Sequence, residues 1–373
     1  MPVVMDDRLC SAERRRGTLE LDGCGIALDA GIRPAMSGLA LTPLLALLGA
    51  SILVVVAAGT WLARAGDEIA EHTGLGRIFI GALLIAIATS LPELGTDITA
   101  ALADAPDLAI GDLFGSSMAN MAILAIVDLR YRGRVFPVVE LGHTRIAAIA
   151  IGLTAFAAIG IASPPGVDLY GVGITPIILF VGYVAALAWF RRVPPIGGVA
   201  PSPTPFREPR RFGDRWVGLG PQLRRFAMAV VALAVAAPVL ALSTEEVADR
   251  FDLSHGFLGV TLLAGTTSLP ELATSLAAVK LGAYDLAVGN LLGSNAANMS
   301  MIVFVDLAYR PGPILAAVGS VHLVAAFSAI LLMALALASI VSGKANRASR
   351  LEPDSIVLLL AYVGCVAAVV AAG

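Results

Sequence analysis

Apolar residues in this chain do not alternate with polar ones. They run in long blocks, each approaching or exceeding the roughly 20 residues a helix needs to cross about 30 Å of hydrocarbon. Ten blocks can be marked off, near residues 38–63, 75–102, 107–128, 144–162 and 171–190, then 223–243, 253–281, 285–307, 313–340 and 354–372. The pattern predicts an all-α integral membrane protein with ten transmembrane helices. Composition agrees: of 373 residues, 58% are hydrophobic and only 14% charged, and mean hydropathy is +0.86. The same length could have held two soluble domains, but not with this balance.

Two polar stretches interrupt the blocks. Residues 1–37 carry Arg14, Arg15 and Arg16 in a row, and the apolar run after them is too long for a signal-peptide core, so they read as an N-terminal tail. Residues 191–222 are rich in proline and arginine and have no apolar period, which reads as a linker. The expected organisation is therefore tail (1–37), first five-helix repeat (38–190), linker (191–222) and second five-helix repeat (223–373).

Net charge, −3, says little here, but the placement of charge does. With the linker on the cytoplasmic side, 18 of the 25 lysines and arginines fall on that side. The loops opposite keep only Arg250 and Arg310. The bias predicts a cytoplasmic linker with both termini outside. An odd number of spans per half then obliges the second half to enter from the opposite side, giving two inverted repeats.

The halves also repeat in sequence. At an offset of 178, residues 81–132 and 259–310 are identical at about half their positions, including Thr-Ser-Leu-Pro-Glu-Leu at 89–94 and 267–272. Further pairs are Asp107 with Asp285, Gly111 with Gly289, Gly115 with Gly293, Ser116 with Ser294, Asn120 with Asn298 and Asp128 with Asp306. A carboxylate at membrane depth is costly, and Glu93 and Glu271 have no intramembrane lysine or arginine nearby, so both need another positive partner. Pro92 and Pro270 cannot donate, which is expected to free backbone carbonyls around Ala88 and Thr266. Thr89, Ser90, Thr267 and Ser268 add hydroxyls within the same turn. Asp112 and Asn290, each between glycines four apart, are expected to face the same centre. Such hard oxygen donors suit Na⁺, Ca²⁺, Mg²⁺ or Mn²⁺ rather than zinc or copper.

Other chemistries are disfavoured. Cys10, Cys24 and Cys365 form no metal or disulfide framework, and the four histidines are scattered and read as loop or helix-end residues. No phosphate-binding GxxxxGK[ST] motif supports ATP-driven pumping. An intramembrane aspartyl protease would need two aspartates in Y-D and G-x-G-D contexts, which are lacking. The chain is expected to be a transporter and not an enzyme, with no cofactor, no nucleic acid, no obligate protein partner and the lipid bilayer as its surroundings.

At the doubled motif the sequence resembles the cation/calcium exchanger superfamily, whose two inverted repeats carry G-T-S-x-P-E and G-(N/D)-x-x-G-S-N. The resemblance covers about 50 residues in each half. It implies a 5+5 fold with long first and sixth spans sliding over a fixed core. It implies ion ligands at Glu93, Glu271, Asp112, Asn290, Thr89, Ser90, Thr267 and Ser268, with backbone carbonyls at Ala86 and Ala264. The implied activity is Na⁺/Ca²⁺ antiport by alternating access in a prokaryotic plasma (inner) membrane. The alternative is a proton-coupled or Mn²⁺/Mg²⁺-selective exchanger of the same fold. Three departures stand out: IATS in the first repeat where glycine is usual before the threonine, Asp112 and Asn290 in reversed order, and Asp97, whose counterpart is Ser275. Asp97 shares a helix face with Glu93; it could hold a further cation or a proton, and a solvated vestibule is the expectation preferred for it. Asp128 and Asp306 are expected to pair with Arg130, Arg132 and Arg310 at helix ends.

Overall fold

A computed structural model describes residues 38–131, 135–136, 139–169, 171–190, 192, 219–251, 265–342 and 353–372. The predicted tail lies outside these residues, as do most of the linker and residues 252–264, Ala264 among them. Among the described residues, helices occupy the apolar blocks: α1 Leu41–Thr73, α2 Arg77–Leu102, α3 Pro106–Arg130, α4 His143–Ala162, α5 Ile174–Phe190, α6 Gly220–Arg250, α7 Leu269–Lys280, α8 Tyr284–Ala308, α9 Val321–Ser342 and α10 Pro353–Ala372. Eight of the described helices are long and apolar enough to cross a membrane. Helix α5, at 17 residues, is shorter, and α7 is described only from Leu269. The block predicted at 313–340 begins instead with a separate turn, Ile314–Ala317, before α9.

Burial separates inner from outer helices. In α3 and α8, 78% of the most apolar window is buried, against 22% in α1 and α10. Small residues make the inner helices possible: Gly289 and Gly293 of α8 lie against the backbone of α2 at Ile78 and Ala82. A methyl group added at Gly293 would collide with Ala82 Cα and fall 2.5 Å from its carbonyl oxygen. The backbones touch there, as small residues allow in membrane helices.

The close approach falls on a local change of winding. Ile80–Ile85, within α2, forms a π-helical turn, and normal α-helix resumes at Ala86. Such a turn holds an extra residue and re-aims the side chains beyond it, and the doubled motif starts three residues after Ala86. Pro92 sits inside α2 without ending it, so the helix runs continuously through the first copy. The second copy differs. Ser268 (φ −85°, ψ 10°) is a turn residue between helical residues 265–267 and α7, which takes Pro270 into its first turn. Proline is well tolerated there, where no intrahelical donor is needed.

The outer layer is formed by α1 and α6, of 33 and 31 residues, which pack against each other along their length. At about 1.5 Å per residue they span roughly 50 and 46 Å, well beyond a hydrocarbon core of about 30 Å. Side chains such as Leu53 and Val231 point away from the protein. The remaining contacts come in matched pairs: α1 with α7 and α6 with α2; α3 with α9 and α8 with α4; α3 with α10 and α8 with α5.

Candidate ion-binding site

Helices α2, α3, α7 and α8 meet in the interior. The hydroxyl of Thr89 is the hub, within 3.1 Å of Ile85 O, 3.2 Å of Ala86 O and 3.2 Å of Asn290 Oδ1, with Ser294 Oγ at 3.5 Å. Its single proton serves one acceptor at a time. Ser294 Oγ also reaches Ala86 O at 3.5 Å. The structure thus brings Thr89, Asn290 and the Ala86 carbonyl together as the sequence predicted. It adds Ser294, a residue that sequence reasoning noted only as half of a matched pair.

Around this hub lie polar atoms with no hydrogen-bond partner. Ser90 Oγ, Ser268 Oγ, Glu93 Oε2 and both carboxylate oxygens of Glu271 are buried and unsatisfied. Glu93 is 3% exposed and Glu271 1%. Each lies within electrostatic range of Asp112, and Glu93 of Glu271 as well. Like charges in a partly buried site repel by several kcal/mol at close range, about 4 kcal/mol at about 4 Å for an effective dielectric of about 20, and unpaired buried carboxylates cost several kcal/mol more. Only protons or cations can make such a centre stable, and the oxygen donors suit hard cations. Among the described residues no group of three or more His, Cys, Asp or Glu side chains converges as a metal cluster. Hydroxyl, amide and carbonyl oxygens must therefore complete any coordination.

Sequence reasoning missed the amides one turn further along α3 and α8. Both side-chain polar atoms of Asn298 are buried without a partner, as is Asn120 Oδ1, while Asn120 Nδ2 donates to Asn295 Oδ1 at 2.9 Å. Asn295 in turn donates to Ser117 O at 3.1 Å, tying α8 to α3. Ser116 Oγ is also unsatisfied. The available signal was the spacing: Ser116 and Asn120, like Ser294 and Asn298, are identical pairs four residues apart, hence on one helix face.

The two halves differ most beside Glu93. In the second half, Asn290 Nδ2 donates to Ser275 Oγ at 3.3 Å, a neutral contact between α8 and α7. Their counterparts in the first half are Asp112 and Asp97, two carboxyl groups within electrostatic range of each other. Asp97 is 1% exposed and both its oxygens lack partners. The expected solvated vestibule is therefore corrected: Asp97 points inward on the buried Glu93 face. Asp112 is half-buried, with Oδ2 enclosed. Ser268 is buried and Thr267 half-buried on the second copy of the motif.

Among the described residues, Asp128 and Asp306 take amide and hydroxyl donors and not the expected Arg130 or Arg310, while Arg132 lies outside the described residues. Asp128 accepts the amides of Val135 (2.9 Å) and Phe136 (3.4 Å) and the hydroxyl of Ser355 (2.6 Å). Asp306 accepts the amides of Ile314 (2.5 Å) and Gly173 (2.6 Å). Both are buried, where backbone amides left free at loop and helix starts are strong partners. Gly173 belongs to a small hairpin, Asp168–Leu169 with Val172–Gly173, leading into α5. Each aspartate thus anchors the loop after its own helix and the start of a helix in the other half. Two histidines stand at helix starts, as expected, and each bonds an aspartate of the other half. His143 is fully buried and bonds Asp285 at 3.0 Å; His322 bonds Asp107 at 2.8 Å.

Comparison with known proteins agrees with this arrangement. The family model for the sodium/calcium exchanger protein matches residues 43–189 and 223–371. A putative antiporter, CaxA, of Alkalimonas amylolytica is 29% identical over 309 residues, covering 80% of this chain and 89% of that protein. The inner membrane protein YrbG of Escherichia coli K12 is 29% identical over 275 residues (72% and 81%). The sodium/calcium exchanger MaX1 of Methanosarcina acetivorans is 22% identical over 292 residues (72% and 83%). Among solved structures, the sodium-calcium exchanger NCX_Mj soaked with 10 mM Na⁺ and zero Ca²⁺ superposes with a TM-score of 0.65 at 21% identity, covering 87% and 98% of the two chains. With both halves of the chain matched, it belongs to the sodium/calcium exchanger family of integral membrane cation antiporters.

Proposed function

We propose that the chain exchanges Na⁺ for Ca²⁺, with Glu93 and Glu271 shared by the competing ions so that occupancy by one excludes the other. The observation that carries this reading is the pair of buried glutamates, Glu271 with both oxygens and Glu93 with Oε2 lacking a hydrogen bond, brought within electrostatic range of each other by two copies of one motif. Thr89, Ser90, Thr267, Ser268, Asn290, Asp112 and the carbonyls of Ala86 and Ala264 form the proposed ligand set, and Ser116, Asn120, Ser294 and Asn298 extend it. The matched contacts support a 5+5 architecture of two related halves, because the start of α8 meets the start of α4 just as the start of α3 meets that of α9. Five spans per half would invert one half relative to the other. Two inverted halves can exchange conformations and so present one central site to either side. The proposed setting is a prokaryotic inner membrane, with the linker cytoplasmic.

In proteoliposomes, a Na⁺ gradient is expected to drive ⁴⁵Ca²⁺ uptake, and Glu93→Gln to abolish it. Intact protein with no Na⁺-driven flux, or undiminished flux in Glu93→Gln, would overturn the reading. The enclosed Asp97, with two free oxygens, favours a second reading in which a proton, or Mn²⁺ or Mg²⁺, replaces one of the ions. Flux driven by a pH gradient without Na⁺, and lost in Asp97→Ser, would select the proton-coupled version.

A further inference from the structure

The two histidine contacts are the same device built twice. Asp285, at the second residue of α8, accepts the amide of Glu140 at 2.8 Å and the ring Nε2 of His143 at 3.0 Å through one oxygen. Asp107, at the second residue of α3, accepts the amide of Gly319 at 2.8 Å and the ring Nε2 of His322 at 2.8 Å, again through one oxygen. In each case amide and imidazole come from residues three apart, and in each case the bond crosses from one half to the other. His143 is fully buried and the side chain of its partner Asp285 is 23% exposed, whereas His322 is 6% exposed against an Asp107 side chain that is 63% exposed, so the first pair is the more enclosed of the two. Arg77 lies within electrostatic range of Asp285, but its hydrogen bonds go to Asp67 at 2.5 Å and Glu71 at 2.9 Å.

These aspartates stand at the head of the helices that carry the site. Five and nine residues beyond Asp285 come Asn290 and Ser294; five and nine beyond Asp107 come Asp112 and Ser116. A helix transmits axial position stiffly at about 1.5 Å per residue, so a helix fixed at its start has its oxygen donors fixed about 7 and 13 Å along. Further along, α8 is also tied to α2 by Thr89 with Asn290 and to α3 by Asn120 with Asn295, so the aspartate contact acts at the start of a helix whose middle is held by site residues themselves.

We propose that His143 and His322 are positioning residues for cation binding. Each locks, through the aspartate at a helix start, the axial register of one of the two helices that carry the amides and hydroxyls of the site. In the inverted arrangement one latch lies toward each end of the bundle, and each fastens a site helix of one half to the other half. The proposal rests on the reading of α3 and α8 as ion-carrying helices.

The test compares His143→Phe and His322→Phe, which keep volume but lose the donor, with His143→Gln and His322→Gln, whose amide nitrogen can take the place of Nε2. Ca²⁺ flux is measured in proteoliposomes containing the full chain. The Phe variants should raise the apparent KM for Ca²⁺ roughly tenfold, the effect of one charge-assisted hydrogen bond. Their maximum rate should change much less, and the Gln variants should recover most of the affinity. Asp285→Asn, which is isosteric, should raise KM less than His143→Phe and add little when combined with it. Folded Phe variants with unchanged KM would overturn the proposal, as would Phe and Gln variants that are equally impaired. If the Phe variants fail to fold, an unaltered KM in Asp285→Asn would overturn it as well. A wild-type chain that moves no cation under any gradient would instead sink the transport reading.

Discussion

At the residue scale, this protein keeps polar groups where folding alone would remove them. Asn298 is 1% exposed and its side chain bonds to nothing, and each unsatisfied buried polar group costs about 1–3 kcal/mol. Asn298→Leu is therefore expected to raise the unfolding temperature in ion-free detergent while shrinking the further rise that Ca²⁺ gives the wild type. Thermal unfolding with and without Ca²⁺ measures both, and a lowered unfolding temperature without ions would show that Asn298 is structural. Asp128 is the opposite case, since its oxygens take three donors from two segments. Asp128→Ala leaves those donors buried, and a loss of roughly 3 kcal/mol is expected, read as a lower denaturation midpoint. The sequence showed Asp128 and Asp306 as a matched pair next to arginines. Their true partners include backbone amides, which no residue identity reveals.

At the scale of elements, the contact between α2 and α8 decides whether the centre forms. Gly293→Ala would drive a methyl group into the backbone of Ala82, and backbone cannot yield as a flexible side chain does. Separating the helices is expected to cost about 1–3 kcal/mol and to remove Ca²⁺ flux. Gly95→Ala, on the same α2 but facing open space, should leave flux intact and gain some helix stability. Equal effects of the two substitutions on flux and melting would refute the close-approach account. The helices themselves were legible from apolar run length because hydrocarbon imposes that length. The π-turn before Ala86 and the turn at Ser268 were not, since both are local answers to packing and to proline placement that composition does not encode. For the same reason α1 and α6 run several residues past the ends of their apolar blocks.

At the scale of the molecule, two long outer helices lie against an inner set whose members are tied across halves by Asp128, Asp306, His143 and His322. If the outer layer moves against the rest, the boundary falls between α1 and α7. Gly59 of α1 faces α7, and a Cβ there would lie 3.0 Å from Ala273 Cβ and 2.9 Å from Thr274 Oγ1, below the roughly 3.5–4.5 Å between the Cβ atoms of a disulfide, so the helices must part by about 0.5 Å or more to accept one. The double variant Gly59→Cys/Ala273→Cys should lose exchange on oxidation and regain it on reduction. Full exchange in the cross-linked protein would place the moving boundary elsewhere. Under the exchange mechanism such a lock stops turnover without touching an ion ligand, which separates motion from chemistry.

Apolar run length and the doubled Thr-Ser-Leu-Pro-Glu-Leu were enough, by themselves, to determine a membrane protein of helices with a repeated motif and buried glutamates. These features come from the bilayer as solvent, which allows few spanning structures and makes each intramembrane carboxylate conspicuous. Tertiary structure alone decided which polar atoms are satisfied. It turned Asp97 inward, gave Asp128 and Asp306 to backbone amides, joined two distant histidines to two aspartates, and left the Asn298 side chain without a partner. Most of those outcomes depend on contacts between residues far apart in the chain, as His143 and Asp285 are, and hydrogen-bond satisfaction exists only once such contacts are made.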